Sequence, residues 1–138
     1  MSRILFLGFR STVFYTVYVA SLLIHSSLCL AAGPFLSIQS RYRFFTLWNR
    51  FVMLWLRIAC GIRFQVTGID NIPPAPYVVL SNHQSPWETI YFYILFQPVC
   101  AILKKELLSI PFFGWGMRLL QPIAIDRSKK RFARNQLL

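Results

Sequence analysis

Ser81-Asn82-His83-Gln84-Ser85-Pro86-Trp87-Glu88-Thr89 is the stretch of this chain whose residue types and spacing could do chemistry. An imidazole, His83, stands five residues before a carboxylate, Glu88. Such a pair makes a general base. The carboxylate fixes the tautomer, orients the ring and stabilises the imidazolium formed when a proton is taken. No serine or cysteine nucleophile is needed if the substrate brings its own hydroxyl. The same residues also spell a helix start, with Ser85 as N-cap, Pro86 at the first helical position and Glu88 at the third. On that reading Glu88 does no more than bond the backbone of the cap. The two roles are compatible, because helical side chains lean toward the N-terminus and bring the carboxylate back toward His83.

These residues need a scaffold, and the chain from Gly61 onward supplies one. Ile62-Arg63-Phe64-Gln65-Val66-Thr67 alternates apolar and polar residues, which predicts a strand. Gly68 to Pro76 holds three prolines and reads as a turn region. Tyr77-Val78-Val79-Leu80 is a short apolar run, expected as a buried strand that ends at the His83 segment. Pro86 to Phe96 reads as a helix and Pro98 to Leu103 as a strand. Lys104 to Ser109 reads as a helical turn or two stopped by Pro111. Phe112 to Leu120 is a short helix despite Gly114 and Gly116. Pro122 to Ile125 is a strand, and Ser128 could start another helix. Strands alternating with helices predict an α/β sheet domain, and open α/β sheets place their ligands at the carboxyl ends of strands, where His83 falls.

Before Gly61 the texture differs. From Ser11 to Gln39 there is no Lys, Arg, Asp or Glu, which is enough helix to cross a bilayer at about 20 apolar residues. Gly33-Pro34 punctuates the run. A cleavable signal peptide is the rival reading, with Arg3 and Arg10 as its basic start and Ala31 and Ala32 near its cleavage site. The apolar run is longer than a typical signal core, which favours an anchor. His25, inside this run, is read as a neutral imidazole bonded to a nearby serine or carbonyl. Arg41 to Ala59 forms a second element, in which Arg43, Arg50 and Arg57 recur every seven residues and line one helical stripe. With Trp48, Trp55 and a broad apolar face, this describes an interfacial helix in the headgroup plane. A core helix of the soluble domain is the alternative. The two elements together make either a transmembrane helix followed by an interfacial one, or a hairpin dipping into one leaflet. Residues 1–60 are thus membrane-anchoring helices, and residues 61–138 an α/β domain.

Composition agrees. Of the 138 residues 56% are hydrophobic and only 14% charged, with fifteen Lys or Arg against four Asp or Glu and a net charge of +11. So greasy and basic a chain points to an anionic partner. Arginines interleaved with large apolar residues suit lipid headgroups, so membrane lipid is expected as partner and nucleic acid is not. Cys29, Cys60 and Cys100 are isolated, so no metal site and no disulfide framework is expected, and all three read as buried thiols.

Asn82-His83-Gln84-Ser85 followed by Glu88 resembles the first motif of the glycerolipid acyltransferases, a His, four residues and then Asp. A second block is also similar: Lys104-Lys105-Glu106-Leu107, then Pro111-Phe112-Phe113-Gly114, then Ile123-Ala124-Ile125-Asp126-Arg127. Together, over most of residues 40–138, the blocks resemble the membrane-bound lysophosphatidic acid acyltransferases. Glu88 in place of Asp is a departure that some members and the related lipid A acyltransferases share, and the longer side chain alters the reach. The resemblance implies that His83 takes the proton from the free hydroxyl of lysophosphatidic acid. The alkoxide would attack the thioester of acyl-CoA or acyl-carrier protein, giving phosphatidic acid with no cofactor. Arg127 matches the family arginine implicated in holding the glycerol phosphate, and Arg suits bidentate phosphate binding. Lys104 would add a point charge. Lys129, Lys130, Arg131 and Arg134 are assigned to headgroups or solvent.

The family's third block, a Phe-Pro-Glu-Gly-Thr-Arg type turn, is not reached by Leu138. The resemblance therefore implies a truncated domain that is inactive or weak by itself. It also implies a membrane location, at the inner membrane with the catalytic part cytoplasmic. Two alternatives stand beside it: a lipid A or ornithine-lipid acyltransferase using the same His and acid, and a non-catalytic membrane-binding fragment in which the arginine stripe is the working part.

Overall fold

A computed structural model gives the fold and describes residues 2–126. Helix α1, Ser2–Ala32, runs through the charge-free segment and is long and apolar enough to cross a membrane. A 3₁₀ turn at Gly33–Phe35 reverses the chain into α2, Ile38–Trp55. Ser37 caps α2, its hydroxyl accepting the Ser40 amide proton at 3.3 Å. The helix runs on through a π turn, Leu56–Cys60, and stops at Gly61, whose φ of 71° is the left-handed cap conformation. Arg10 of α1 donates to the Ala59 carbonyl at 2.6 Å, satisfying one of the end carbonyls.

The two helices pack antiparallel, and two indole nitrogens of α2 are bonded across to α1. The Trp48 indole donates to the Ser21 hydroxyl at 3.1 Å and the Trp55 indole to the Phe14 carbonyl at 3.3 Å. His25 lies against the Phe44 ring, 5.1 Å between centroids, with the Phe44 backbone rather than a serine as its polar neighbour; the Ser21 and Ser27 hydroxyls donate to the Tyr18 and Leu23 carbonyls.

Helix α3, Pro86–Leu95, lies across this hairpin. Trp87, Ile90, Tyr91 and Ile94 pack on Trp48, Val52 and Met53, with Tyr18 and Leu22 joining from α1. Asn49, 2% exposed, fixes the contact by donating to the Ile90 carbonyl at 2.9 Å. Strand β1, Ile102–Lys104, and strand β2, Ile123–Ile125, pair in parallel with Ile102 opposite Ile123 and Lys104 opposite Ile125. Between them lie a 3₁₀ turn, Lys105–Ser109, and α4, Phe113–Arg118. Tyr42 ties this unit to α2, its hydroxyl donating to the Val99 carbonyl at 2.8 Å or the Leu120 carbonyl at 3.0 Å. It shares a core with Tyr93, Met117 and Leu120.

Several expectations change. The helices and the last two strands fall close to where the sequence puts them. The strands expected at 62–67 and 77–80 do not form, and the sheet among the described residues has two strands. An apolar run becomes a strand only when a neighbour supplies ladder hydrogen bonds, and no such neighbour flanks these runs among the described residues. Val78 and Leu80, expected to be buried, are 84% and 92% exposed. Over its described residues the expected α/β domain keeps two short parallel strands, and the rest is short helices and irregular chain. The cysteines are free, but Cys60 is only half-buried and Cys100 is exposed, contrary to expectation. Cys100 lies at the edge of the β1–β2 unit, its thiol 3.5 Å from the Gln121 carbonyl oxygen.

Gly114 has a packing reason. A Cβ there would come within 2.7 Å of the Leu108 carbonyl oxygen, which is backbone and cannot rotate away. Gly114→Ala is expected to destabilise the chain by about 1–3 kcal/mol as an overpacking change, read as a lowered melting temperature in detergent. Gly8→Ala, in α1 with nothing within 4 Å of the added methyl, is the control and should not destabilise the chain.

Candidate active site

The turn before α3 is where sequence and geometry meet. Pro86 presets the first helical φ and Ser85, at φ −153°, stands outside the helix as its cap. Glu88 therefore sits at the third helical position and leans back over the turn. One carboxylate oxygen, Oε2, accepts the Ser85 amide proton at 3.1 Å and the Gln84 amide proton at 3.0 Å. The same oxygen meets His83 Nδ1 at 3.0 Å. Both contacts expected from the sequence are thus made by one carboxylate. It is a capping-box residue and the partner of the imidazole.

The electrostatics follow from those contacts. The Ser85 amide holds the Glu88 carboxyl below the usual carboxylate range, with smaller contributions from the Gln84 amide and His83 opposing partial desolvation. An ionised carboxylate only accepts, so His83 Nδ1 carries the proton in this contact and Nε2 keeps its lone pair. The His83 side chain is 66% exposed and Glu88 only 18%. The free nitrogen is therefore open to an incoming hydroxyl, while the orienting carboxylate is set back. The Gln84 and Ser85 amides act with the site although no side chain announces them. The Ser85-x-x-Glu88 spacing was the only sequence signal for them. Trp87 carries the site's mechanical support, stacked on Tyr91 at 5.3 Å with Phe64 edge-on at 5.0 Å.

The remaining sequence-predicted residues divide. Lys104 ends β1 and is exposed, and no hydrogen bond or ion pair joins it to His83 or Glu88 among the described residues. Arg127 lies outside the described residues, as does the helix expected from Ser128. Arg43 and Arg50 are exposed on α2, and Arg57 is exposed in the π turn that follows it. Trp48 is not on that surface. It is 6% exposed, 5.3 Å from the Tyr18 ring, because it points at α1 rather than outward. Trp55 is half-buried on the same side, and both tryptophans bond α1 through their indole nitrogens. Among the described residues no group of His, Cys, Asp or Glu could hold a metal ion.

Comparison with known proteins bears on the same residues. Residues 63–137 match the family model described as Acyltransferase. The chain is 45% identical over 129 residues to a 1-acyl-sn-glycerol-3-phosphate acyltransferase of Pseudomonas aeruginosa, covering 93% of this chain and 50% of the relative. It is 34% identical over 79 residues to the protein of that name from Saccharomyces cerevisiae, covering 56% of this chain and 26% of the relative. A lysocardiolipin acyltransferase 1 of Danio rerio is 32% identical over 114 residues, covering 69% and 28%. No solved structure matches. The chain spans half the length of the Pseudomonas relative and about a quarter of the other two. With the family match covering more than half of its residues and including both polar blocks, the chain belongs to the acyltransferase family.

Proposed function

We propose that this chain carries the proton-accepting part of an enzyme that transfers a fatty acyl group from a thioester to lysophosphatidic acid. The observation that carries the reading is the 3.0 Å contact of His83 Nδ1 with the Glu88 carboxylate, which leaves Nε2 open. Nε2 takes the proton of the acceptor's free hydroxyl as its oxygen attacks the thioester carbonyl. The imidazolium so formed is stabilised by Glu88 and returns the proton to the departing thiolate. The ester is new, the thioester is broken and one proton has moved from alcohol to thiol. The donor is acyl-CoA or acyl-carrier protein, and no cofactor takes part. Lys104 and Arg127 hold the acceptor's phosphate, Arg127 by a bidentate contact.

The setting of the dyad supports a membrane-resident acceptor. Helix α3 begins at the dyad, and its Trp87 packs on the apolar hairpin within one turn of His83. A lysophospholipid held in the membrane thus meets the base without leaving the lipid surface. The site belongs to the cytoplasmic face of the inner membrane, where thioester donors are made.

The test is transfer of a labelled acyl group to lysophosphatidic acid in membranes that express the chain. A second preparation carries the chain extended by the C-terminal half of the Pseudomonas relative, which brings in the later family blocks. Robust transfer by the extended chain, with little or none by the 138-residue chain, is the expected result. No transfer by either, with both proteins membrane-bound, overturns lysophosphatidic acid as acceptor; lipid A precursors and lyso-ornithine lipids are then assayed in its place.

A further inference from the structure

We infer that Tyr42 is a positioning residue for the acceptor's phosphate, its hydroxyl setting the strand pair that carries Lys104 against the helix that also holds the dyad. The inference rests on the phosphate role proposed above for Lys104 and adds the residue that puts Lys104 in place.

The case begins with the register of the two strands. β1 and β2 are parallel, with Ile102 opposite Ile123 and Lys104 opposite Ile125. Val99 and Leu120 each precede their strand by three residues, so they stand opposite each other in the same register. The Tyr42 hydroxyl reaches both carbonyls, at 2.8 and 3.0 Å. With one proton to give, it alternates between the two strand entries and keeps both within reach. From there the pair is joined by the Ile123 amide, which donates to the Ala101 carbonyl at 3.0 Å. Lys104 closes β1 at the far end of this short ladder. A shift at the Tyr42 end is therefore carried to the lysine.

The same face of α2 holds the dyad by a second buried polar contact. Asn49 follows Tyr42 by two helical turns, about 10 Å along the axis. Its side-chain amide donates to the Ile90 carbonyl of α3, two residues beyond Glu88. Tyr42 and Asn49 are both buried. Tyr93 of α3 meets the strand unit through apolar packing on Met117 and Leu120, and among the described residues its buried hydroxyl has no bonded partner. Apolar packing tolerates small slides, whereas buried hydrogen bonds specify one arrangement. α2 is thus the gauge between base and phosphate holder, with Asn49 setting one end and Tyr42 the other.

The consequence is kinetic. Without the Tyr42 hydroxyl the shared core and Arg41, 3.4 Å from the Leu119 carbonyl, keep the unit docked, but no longer at one setting. Only some settings place Lys104 where it meets the phosphate of an acceptor seated at His83. Binding then selects the competent setting, and affinity falls by the fraction of molecules that hold it. An acceptor bound at both ends restores the geometry, so turnover is spared.

Tyr42→Phe in the extended chain tests this, with Tyr93→Phe as its control, a hydroxyl removed from the same core where it bonds nothing among the described residues. Amide hydrogen exchange needs no substrate. Peptides over residues 99–104 and 120–125 are expected to exchange about tenfold faster in Tyr42→Phe, the factor for one lost buried hydrogen bond, while those over α3 stay within about twofold. Unchanged exchange in the strand pair overturns the inference, and so does equal acceleration over α3, which marks a loosened fold. In acyl transfer, KM for lysophosphatidic acid is expected to rise about tenfold and kcat to change by less than about threefold. A lower kcat at unchanged KM is the mark of fewer folded molecules and overturns the inference. Tyr93→Phe is expected to alter neither quantity, and a KM rise there equal to that of Tyr42→Phe overturns it too. In a Lys104→Gln background Tyr42→Phe should raise KM by less than about twofold more, because both act through one contact. A full second tenfold rise means that Tyr42 acts elsewhere and overturns the assignment. If Lys104→Gln leaves KM unchanged, the phosphate role proposed above fails and this inference falls with it. If Lys104→Gln raises KM and Tyr42→Phe does not, the inference alone fails.

Discussion

Changing His83 to alanine in the extended chain is expected to lower acyl transfer by about 10³-fold, within the range typical of a positioned general base, and to leave membrane attachment unchanged. The expectation has two halves with separate causes. Transfer falls because Nε2 is the open lone pair of the dyad, and water in the vacated space has neither its basicity nor the Glu88 carboxylate behind it. Attachment holds because His83 contributes little to the fold. Its side chain is mostly exposed, and its recorded bond is the one to Glu88, which keeps the Gln84 and Ser85 amides as partners without it. The measurement is transfer of a labelled acyl group alongside the fraction of protein recovered with floated membranes. Transfer within tenfold of the parent would remove His83 from the chemistry. Loss of attachment together with transfer would make it a structural residue.

The parts of this molecule legible in the sequence are those with local causes. Ser85, Pro86 and Glu88 announce the start of α3 because capping is a contact between residues three apart, and the lean of a helical side chain then delivers the carboxylate to His83. Arg43 and Arg50 share a face of α2 by helical period, and both are exposed, as is Arg57 in the π turn that follows. Trp48 and Trp55 lie on the same helix, yet their surroundings were not readable. Which arc of α2 meets α1 depends on the turn at Gly33–Phe35 and on Ser21 and Phe14, some 27 and 41 residues away in sequence. Asn49 gave no signal at all, since its partner is a backbone carbonyl 41 residues distant. The runs at 62–67 and 77–80 have strand composition, but a strand is completed by its neighbour, and composition does not say where that neighbour is.

Glu88→Gln in the extended chain is the sharper test, because it removes the charge with almost no change in shape. In the parent, Oε2 accepts three protons, from Ser85, Gln84 and His83. A glutamine oxygen placed there still meets all three donors, but it carries no charge. Its NH₂ group takes the Oε1 position, 3.2 Å from the Gln84 amide nitrogen, where two donors oppose each other. The imidazolium formed when Nε2 takes a proton then has no carboxylate to stabilise it. Loss of about 10³-fold is expected, within the range by which a positioned general base acts. Glu88→Asp keeps the charge and the tautomer but shortens the reach, so its loss should be far smaller, about 10- to 100-fold. A Glu88→Gln variant as active as the parent would reduce Glu88 to its capping role. Stability gives an independent reading of the charge. The Ser85 amide depresses the folded-state value of Glu88 below that of the unfolded chain, about 4.3, so its contribution is complete above the unfolded value. That contribution fades only as pH falls through the lower folded one. The gap in melting temperature between parent and Glu88→Gln should therefore be constant from pH 7 to about pH 5 and close in stronger acid. Finally, His83 and Glu88 act through a single proton position, so their effects on transfer cannot add. The His83→Ala, Glu88→Gln double variant should lose no more activity than the worse single one. Losses that multiplied would mean that the carboxylate serves the reaction by some route other than the imidazole.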